Sequence, residues 1–529
     1  MQNGLSKENG IRTLIKVNYQ SNIMILSRYT LKNISNSQVQ IPEASIFELP
    51  EKVLQFGTGV LLRGLPDYFI DKANKQGIFN GRIVVVKSTS QGDSSAFDKQ
   101  DGLYTLCVRG LQNGEKIEEN IINASISRVL SASEQWEQVL ACAHSPEMQV
   151  IVSNTTEVGI QLVNDDIRHH PPKSFPGKLL AFLYERFKAF GGSPDSGMVI
   201  VPTELIPDNG KKLESIVFEL AHLNGLEVAF IEWLEQYNHF CSSLVDRIVP
   251  GRPSKEAQQQ IEEDLGYSDA LMTMSEVYRL WAIEGNEYVK EVLSFAKVDE
   301  GVIIKTDIDI YRELKLRLLN GTHTLSCGLA FLAGCETVKE AMDDSQISAF
   351  ISDLMLGELA PAIPYDVDPG TAKEFGLKVL DRFRNPHIKH QWISITMQYS
   401  SKMKMRCVPM LMEHYKNQES VPELIALGFA AYLYFTRPLR KSGEEYFGEF
   451  NGEAYPIKDD QAAVFARRWM DLSVSALVQE VLSDQAFWGE DLLSLPGFQN
   501  AVTDQLNRIM NFGVRSAIEQ IKVKKEVVS

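Results

Sequence analysis

The chain has 529 residues, 44% of them hydrophobic and 23% charged, enough for two or more globular domains with sizeable cores. With 53 basic against 69 acidic residues its formal net charge is -16, a field that repels nucleic acid and anionic membrane surfaces, so neither is expected as a partner. Six scattered cysteines with no CxxC pair exclude a zinc ribbon or a disulfide framework, and no run of about 18 apolar residues offers a membrane span, so the cytoplasm is the expected compartment.

Residues 1–45 are rich in Asn, Ser and Gln, lack the continuous apolar stretch of a signal peptide, and read as a poorly ordered extension with Met24 as an alternative start. From Pro50 to Leu205, short β-branched runs ("VLQF", "RIVVVKS", "MQVIVSN", "GMVIVPTEL") alternate with amphipathic segments such as "LPDYFIDKANKQG" and "PGKLLAFLYERFKAF". That order predicts βαβ units and a mostly parallel sheet. "EVYRLWAIEG" and "GVIIKTDIDI" predict a later strand pair that returns to the sheet. After Tyr311 helical periodicity dominates, interrupted at Arg440 to Asp460 by a Gly-rich, charged surface excursion. The chain therefore reads as α/β: an extension over 1–45, a Rossmann-like domain over 46–310, and a mostly helical domain over 311–529.

"VLQFGTGVLLRG" sets Gly57 and Gly59 between a strand and a helix, where one glycine makes a tight turn and the next lets backbone N–H groups approach a pyrophosphate. Leu62 stands where a third glycine is usual, and an ordinary strand-to-helix turn has the same spacing. Its place in the first βαβ unit favours the dinucleotide. Expected at such a cofactor are Val53, Leu54, Gln55, Phe56, Gly57, Thr58, Gly59, Val60, Leu61, Leu62, Arg63 and Gly64, with Ser88 ending the second strand and Asn154, Thr155 and Glu157 of "SNTTEVG" at the sheet's carboxyl edge. Lys87 occupies a place where an acid usually meets the ribose of NAD; it is either a solvated strand end or a contact for the 2′-phosphate of NADP.

"KLRLLNGTHT" puts Lys315, Asn320 and His323 within an arc of roughly 140° on an α-helix, so the three can converge on one cleft. A lysine in a partly apolar cleft is suited to exchange a proton with a hydroxyl that becomes a carbonyl. An asparagine amide can hold the developing oxyanion, and a histidine can bond the same oxygen or orient the lysine. A snorkelling lysine, a cap and a satisfied polar contact would leave the same spacing. No metal is expected, since no H-x-x-x-H or H-x-E pattern accompanies His323.

Together these features resemble the long-chain, metal-independent polyol dehydrogenases, the mannitol dehydrogenase family, whose K-x4-N-x2-H signature is met by Lys315, Asn320 and His323. "QDGLYT", "SSLVDRIV" and "RFRNPHIKH" are similar to other blocks of that family. The resemblance implies an NAD-binding N-terminal domain, with NADP less expected, and a cleft against a helical domain. There Lys315 would be the acid/base, Asn320 would polarise the reacting oxygen, and His323 would support both. Asp246 matches a substrate-contacting aspartate, or else is a buried partner of Arg247; Lys402 matches a substrate-side lysine, or else is solvated. "SNTTEVGI" and "PTELI" look most like members that interconvert D-tagaturonate and D-altronate, a keto-uronate and its aldonate. Thr203, Glu204 and Leu205 replace the C-D-N triplet of mannitol and fructuronate enzymes, and Leu205 cannot serve as a second oxyanion donor. Arg384, Lys389 and Lys402 belong to the densest basic group of the C-terminal half and are the expected anchors of the substrate carboxylate, unless that group is a solvated face. The alternatives are a fructuronate, mannonate or polyol dehydrogenase and, outside enzymes, a dinucleotide-sensing binding protein. No oligomeric state is legible.

Overall fold

The computed structural model describes residues 24–88, 94–155 and 159–528. Six strands, β1 (Glu51–Phe56), β2 (Arg82–Lys87), β3 (Ile126–Ser131), β4 (Val150–Ser153), β5 (Val199–Pro202) and β6 (His239–Phe240), form one sheet in the order β3-β2-β1-β4-β5-β6, and every neighbouring pair is parallel. This is the doubly wound Rossmann order, reversing between β1 and β4. Alternation along each strand feeds both faces: Leu54, Phe56, Val84 and Val86 pack with helix α3 (Phe175–Phe190), whereas Val53, Ile83 and Val85 pack with α2 (Pro66–Lys75). Burial on both faces explains why these strands read as continuous apolar runs.

The later strands depart from expectation. β7 (Ser243–Asp246), β8 (Leu280–Glu284) and β9 (Val302–Lys305) make a sheet of their own, with β7 antiparallel to β8 and β8 parallel to β9. The large sheet ends at β6, only two residues long, so it offers little edge to join. β7 instead presents the partner, and its last residue is Asp246.

Residues 24–45, expected to be loosely attached, are packed. Met24 and Ile25 pair with Tyr267 and Ser268, and Leu26, Leu31, Ile34, Val39 and Ile46 share a core cluster with Leu103, Ile122 and Tyr267. Their irregular spacing hides this from any periodic pattern. Residues 1–23 lie outside the described part.

Beyond β9 the described chain is helical apart from three antiparallel strands within 440–457, which fold the expected excursion into a small sheet. Its centre is helix α7 (Glu423–Phe435), buried nearly all round as a core helix must be. Among the described residues no helix is long and apolar enough to cross a membrane. Leu26 is fully buried, so Leu26→Ala should cost about 3 kcal/mol in chemical denaturation; no loss would return this segment to a loose extension.

Candidate active site

At the end of β1, Gly57 has φ 128° and its N–H donates to the Val86 carbonyl, while a Cβ there would stand 2.9 Å from the Asn154 carbonyl oxygen. Only glycine fits this turn. Gly59 heads helix α1 (Val60–Gly64), and a Cβ on it would meet nothing within 4 Å. That leaves open space at the carboxyl end of the sheet, beside the reversal of strand order where ligands of such sheets bind. The Ser88 hydroxyl at the end of β2 is buried with no partner among the described residues. Asn154 ties β4 to β5 through the Thr203 carbonyl (3.2 Å) and hydroxyl (3.0 Å). A cradle with room at Gly59 and a hydroxyl without a partner among the described residues suit a dinucleotide phosphate and ribose.

The cradle is narrower than the sequence suggested. Val53, Leu54, Gln55, Phe56 and Leu62 are buried in the protein, Gly64 packs under Val249, and Arg63 turns inward to the Leu271 carbonyl at 2.6 Å. The part open to a ligand runs from Gly57 through Thr58, Gly59 and Val60 to Leu61. Thr155 is held with Ser153 by the buried Glu204, and Glu157 lies outside the described residues. Leu205 is 62% exposed and supplies no donor.

Lys315 to Gly321 forms a π-helical turn, followed by the regular helix α4 (Thr322–Leu332). Hydrogen bonds in such a turn run i→i+5. Residues five apart, such as Lys315 and Asn320, therefore come closer to one line than the roughly 140° of an α-helix. The Lys315 Nζ donates to the Val245 carbonyl at 3.0 Å and lies 3.8 Å from Asp246 Oδ1. The Asn320 side-chain amide has no partner among the described residues.

Asp246 heads a buried ion network. Arg382, near the end of helix α5 (Pro369–Phe383), grips it with two hydrogen bonds of 2.8 and 3.0 Å, and makes two more to Glu276 of 3.1 and 2.8 Å. Burial raises the Asp246 carboxyl, but Arg382 and Lys315 outweigh it and hold the group below the usual carboxylate range. Burial likewise opposes the charge on Arg382, and its two carboxylates more than restore it. Arg247, adjacent in sequence to Asp246, turns away to the Gly64 and Glu276 carbonyls.

A cavity of about 200 Å³ opens beside this network, walled by Asp246, Ile248, Asn320, His323, Arg382, Phe383 and His390 among others. His323 stacks on Phe383 at 4.2 Å and meets His390 edge-on at 5.1 Å. Its Nε2 is buried without a hydrogen-bond partner among the described residues. Burial first, then the nearby His390, Arg382, Arg406 and Lys402, push its pKa well below that of a free imidazole, so it is neutral at physiological pH.

Of the expected carboxylate anchors, Arg384 is 3.7 Å from Asp381 and Lys389 is exposed, and none of Arg384, Lys389 and Lys402 lines the cavity. Lys402 donates to the Ile395 carbonyl at 2.8 Å and acts electrostatically on both His323 and His390. Sequence reasoning passed over Arg382 and His390, which flank the expected pair in the same "RFRNPHIKH" run.

A family model of the mannitol dehydrogenase Rossmann domain matches residues 51–297, and one of the mannitol dehydrogenase C-terminal domain matches 307–510. Altronate oxidoreductase of Cronobacter sakazakii is 38% identical over 478 residues, covering 89% of this chain and 96% of that protein. The altronate oxidoreductase of Bacillus subtilis is also 38% identical, over 89% of this chain and 95% of its own length. In fold, the chain is similar to D-sorbitol dehydrogenase in substrate-free form (TM-score 0.71, 20% identity, 93% of this chain and 100% of that one). It is also similar to Pseudomonas fluorescens mannitol 2-dehydrogenase in ternary complex with NAD and D-mannitol (TM-score 0.63, 22% identity, 95% and 100%).

The Asp67 carboxyl is fully buried, and burial pushes this group up to about 8, only partly opposed by the neighbouring Gln55 side chain and by Arg63. Between the unfolded value of about 4 and this folded value, the native state keeps a proton that the unfolded chain has released. Stability should therefore fall as pH rises through that window. Asp67→Asn, neutral throughout, should flatten the fall in denaturation midpoints measured from pH 5 to 8; an unchanged slope would place its cause elsewhere.

Proposed function

The chain belongs to the mannitol dehydrogenase family, and from that premise we propose that it catalyses the reversible, NADH-dependent reduction of D-tagaturonate to D-altronate. One observation carries the proposal furthest: the Lys315 ammonium, held by the Val245 carbonyl, lies beside Asp246 in the wall of a cavity that Asn320 also lines and into whose wall His323 brings a buried Nε2 with no partner among the described residues. A ketone oxygen in that cavity can be met by a proton donor, an amide N–H and an uncharged imidazole at once.

In reduction, Lys315 gives its proton to the ketone oxygen as negative charge develops there, and the Asn320 amide stabilises that charge by donating to the same oxygen. His323, neutral and anchored by stacking on Phe383, bonds the substrate rather than supplying protons. Val245 and Asp246 fix the lysine, so its ammonium is aimed before substrate arrives. The nicotinamide cofactor, when bound, supplies the hydride that the ketone carbon receives. It would be held by the open stretch Gly57–Leu61, with Ser88 and Asn154 nearby. NAD is proposed over NADP, in keeping with the NAD of the Pseudomonas fluorescens complex; a preference for NADPH would point to Lys87 as a phosphate contact. We assign dinucleotide binding to residues 46–310 and most of the substrate wall to 311–529. All six cysteines are free thiols, which suits a reducing cytoplasm.

The substrate's carboxylate needs a cation. Lys402 and Arg406 have no ion-pair partner within 4.0 Å among the described residues, and both act on His323. They are the proposed anchors, although neither lines the cavity itself.

Lys315→Ala should lower turnover by at least about a hundredfold with NADH affinity nearly unchanged; near-normal turnover removes the acid/base role. Lys402→Met should raise the KM for D-tagaturonate about tenfold or more, as expected for a lost charge-assisted hydrogen bond. A KM within twofold of wild type would move carboxylate recognition elsewhere.

A further inference from the structure

We propose that Arg317 is a positioning residue: it holds the segment bearing Lys402 and Arg406 at a fixed distance from the catalytic turn, so that ketone and carboxylate of one substrate are engaged together. This role presupposes the keto-uronate reading given above.

Arg317 stands between Lys315 and Asn320 in the π-helical turn and is buried. It does not line the cavity. Its Nη1 donates to the main-chain carbonyls of Met405 (2.7 Å) and Arg406 (3.1 Å), and its Nε to Glu313 Oε2 (2.9 Å). The sequence explains why a side chain is needed there. Residues Met403 to Cys407 form a second π-helical turn leading into helix α6 (Val408–Asn417), and Pro409 follows in its first turn. The Val408 N–H donates to the Met403 carbonyl, an i→i+5 bond, and Pro409 beside it has no N–H, so the turn is one backbone donor short in the stretch that holds the Met405 and Arg406 carbonyls. The Arg317 guanidinium supplies donors to both of those carbonyls.

Two further ties run between the same segments. The side chain of Met410 reaches Gly321, where a Cβ would lie 2.7 Å from its flexible Cε end, so α6 packs against the end of the catalytic turn. Arg406 Nη1 donates to the Thr324 hydroxyl at 3.1 Å, and that hydroxyl donates to the Asn320 carbonyl at 2.7 Å. The cation-bearing segment is thus braced on both sides of Asn320, and Arg317 is the brace made to main chain. A shift of about 1 Å in a positioned substrate group can cost on the order of a hundredfold in rate. A plain stability brace would lower the amount of folded protein and leave each folded molecule's kinetics intact.

The test is kinetics normalised to NADH-binding sites, counted by fluorescence titration, for wild type, Arg317→Met and the double variant Arg317→Met/Pro409→Ala. In the double variant residue 409 regains an N–H, which restores one backbone donor to this turn. Arg317→Met should reduce kcat/KM for D-tagaturonate about thirtyfold or more per site with NADH Kd within twofold, and the added Pro409→Ala should recover at least about threefold of the loss. Should Arg317→Met fail to bind NADH, Arg317→Lys carries the same comparison, since it keeps the charge near Glu313 but cannot span both carbonyls. Wild-type kcat/KM per site in the single variant, whatever its melting temperature, overturns the proposal, as does a double variant no better than the single one. Wild-type enzyme inert toward D-tagaturonate would overturn the keto-uronate reading itself.

Discussion

The Arg382 guanidinium is the contact on which the site depends. It joins the C-terminal end of α5 to two carboxylates of the α/β half, Asp246 on β7 and Glu276, whose side chain also accepts from the Ile248 N–H. With Lys315 beside Asp246, the group holds two positive and two negative charges. Such a cluster gains little net stability, because each ion loses its water on burial. Its effect is on geometry. Loss of any one member leaves an uncompensated buried charge, which strongly disfavours arrangements that separate the halves. Lys315, the proposed acid/base, is thereby held beside Asp246 in the cavity's wall.

The glycine cradle and the cavity are linked through the same region. Val249 packs against Gly64 and Gly251 against Val60, so the residues just beyond Asp246 lie on the helix that opens at Gly59. A ligand in the cradle and a ligand in the cavity are therefore neighbours across a short stretch of chain. For an anionic substrate approaching a molecule of net charge -16, Lys402 and Arg406, which have no ion-pair partner among the described residues, are the proposed source of a local attraction that the average field does not supply.

Much of this was legible in the sequence, for physical reasons. Buried parallel strands must be continuously apolar, so β1, β2, β4 and β5 announced themselves, and the tight turn after β1 demanded its glycine at residue 57. Lys315, Asn320 and His323 were visible as a polar group in an apolar helix. The π-helical turn that draws them together was not, since the residues of such a turn satisfy an α-helical pattern equally well. Arg382 was hidden for another reason: its partners lie 136 and 106 residues away, and only the fold distinguishes it from Arg384, whose neighbour is Asp381. The packing of Leu26, Leu31 and Ile34 was obscured because irregular segments bury apolar groups without a period.

The central claim is that this cavity reduces a ketone carrying a carboxylate. The most direct measurement is NADH consumption by the unmodified enzyme with D-tagaturonate, D-fructuronate and D-fructose side by side. The account predicts the highest kcat/KM for D-tagaturonate, by at least about tenfold over D-fructuronate and by more over uncharged D-fructose. Equal or greater kcat/KM with D-fructose would contradict it, because the cations beside His323 would then contribute nothing to substrate choice.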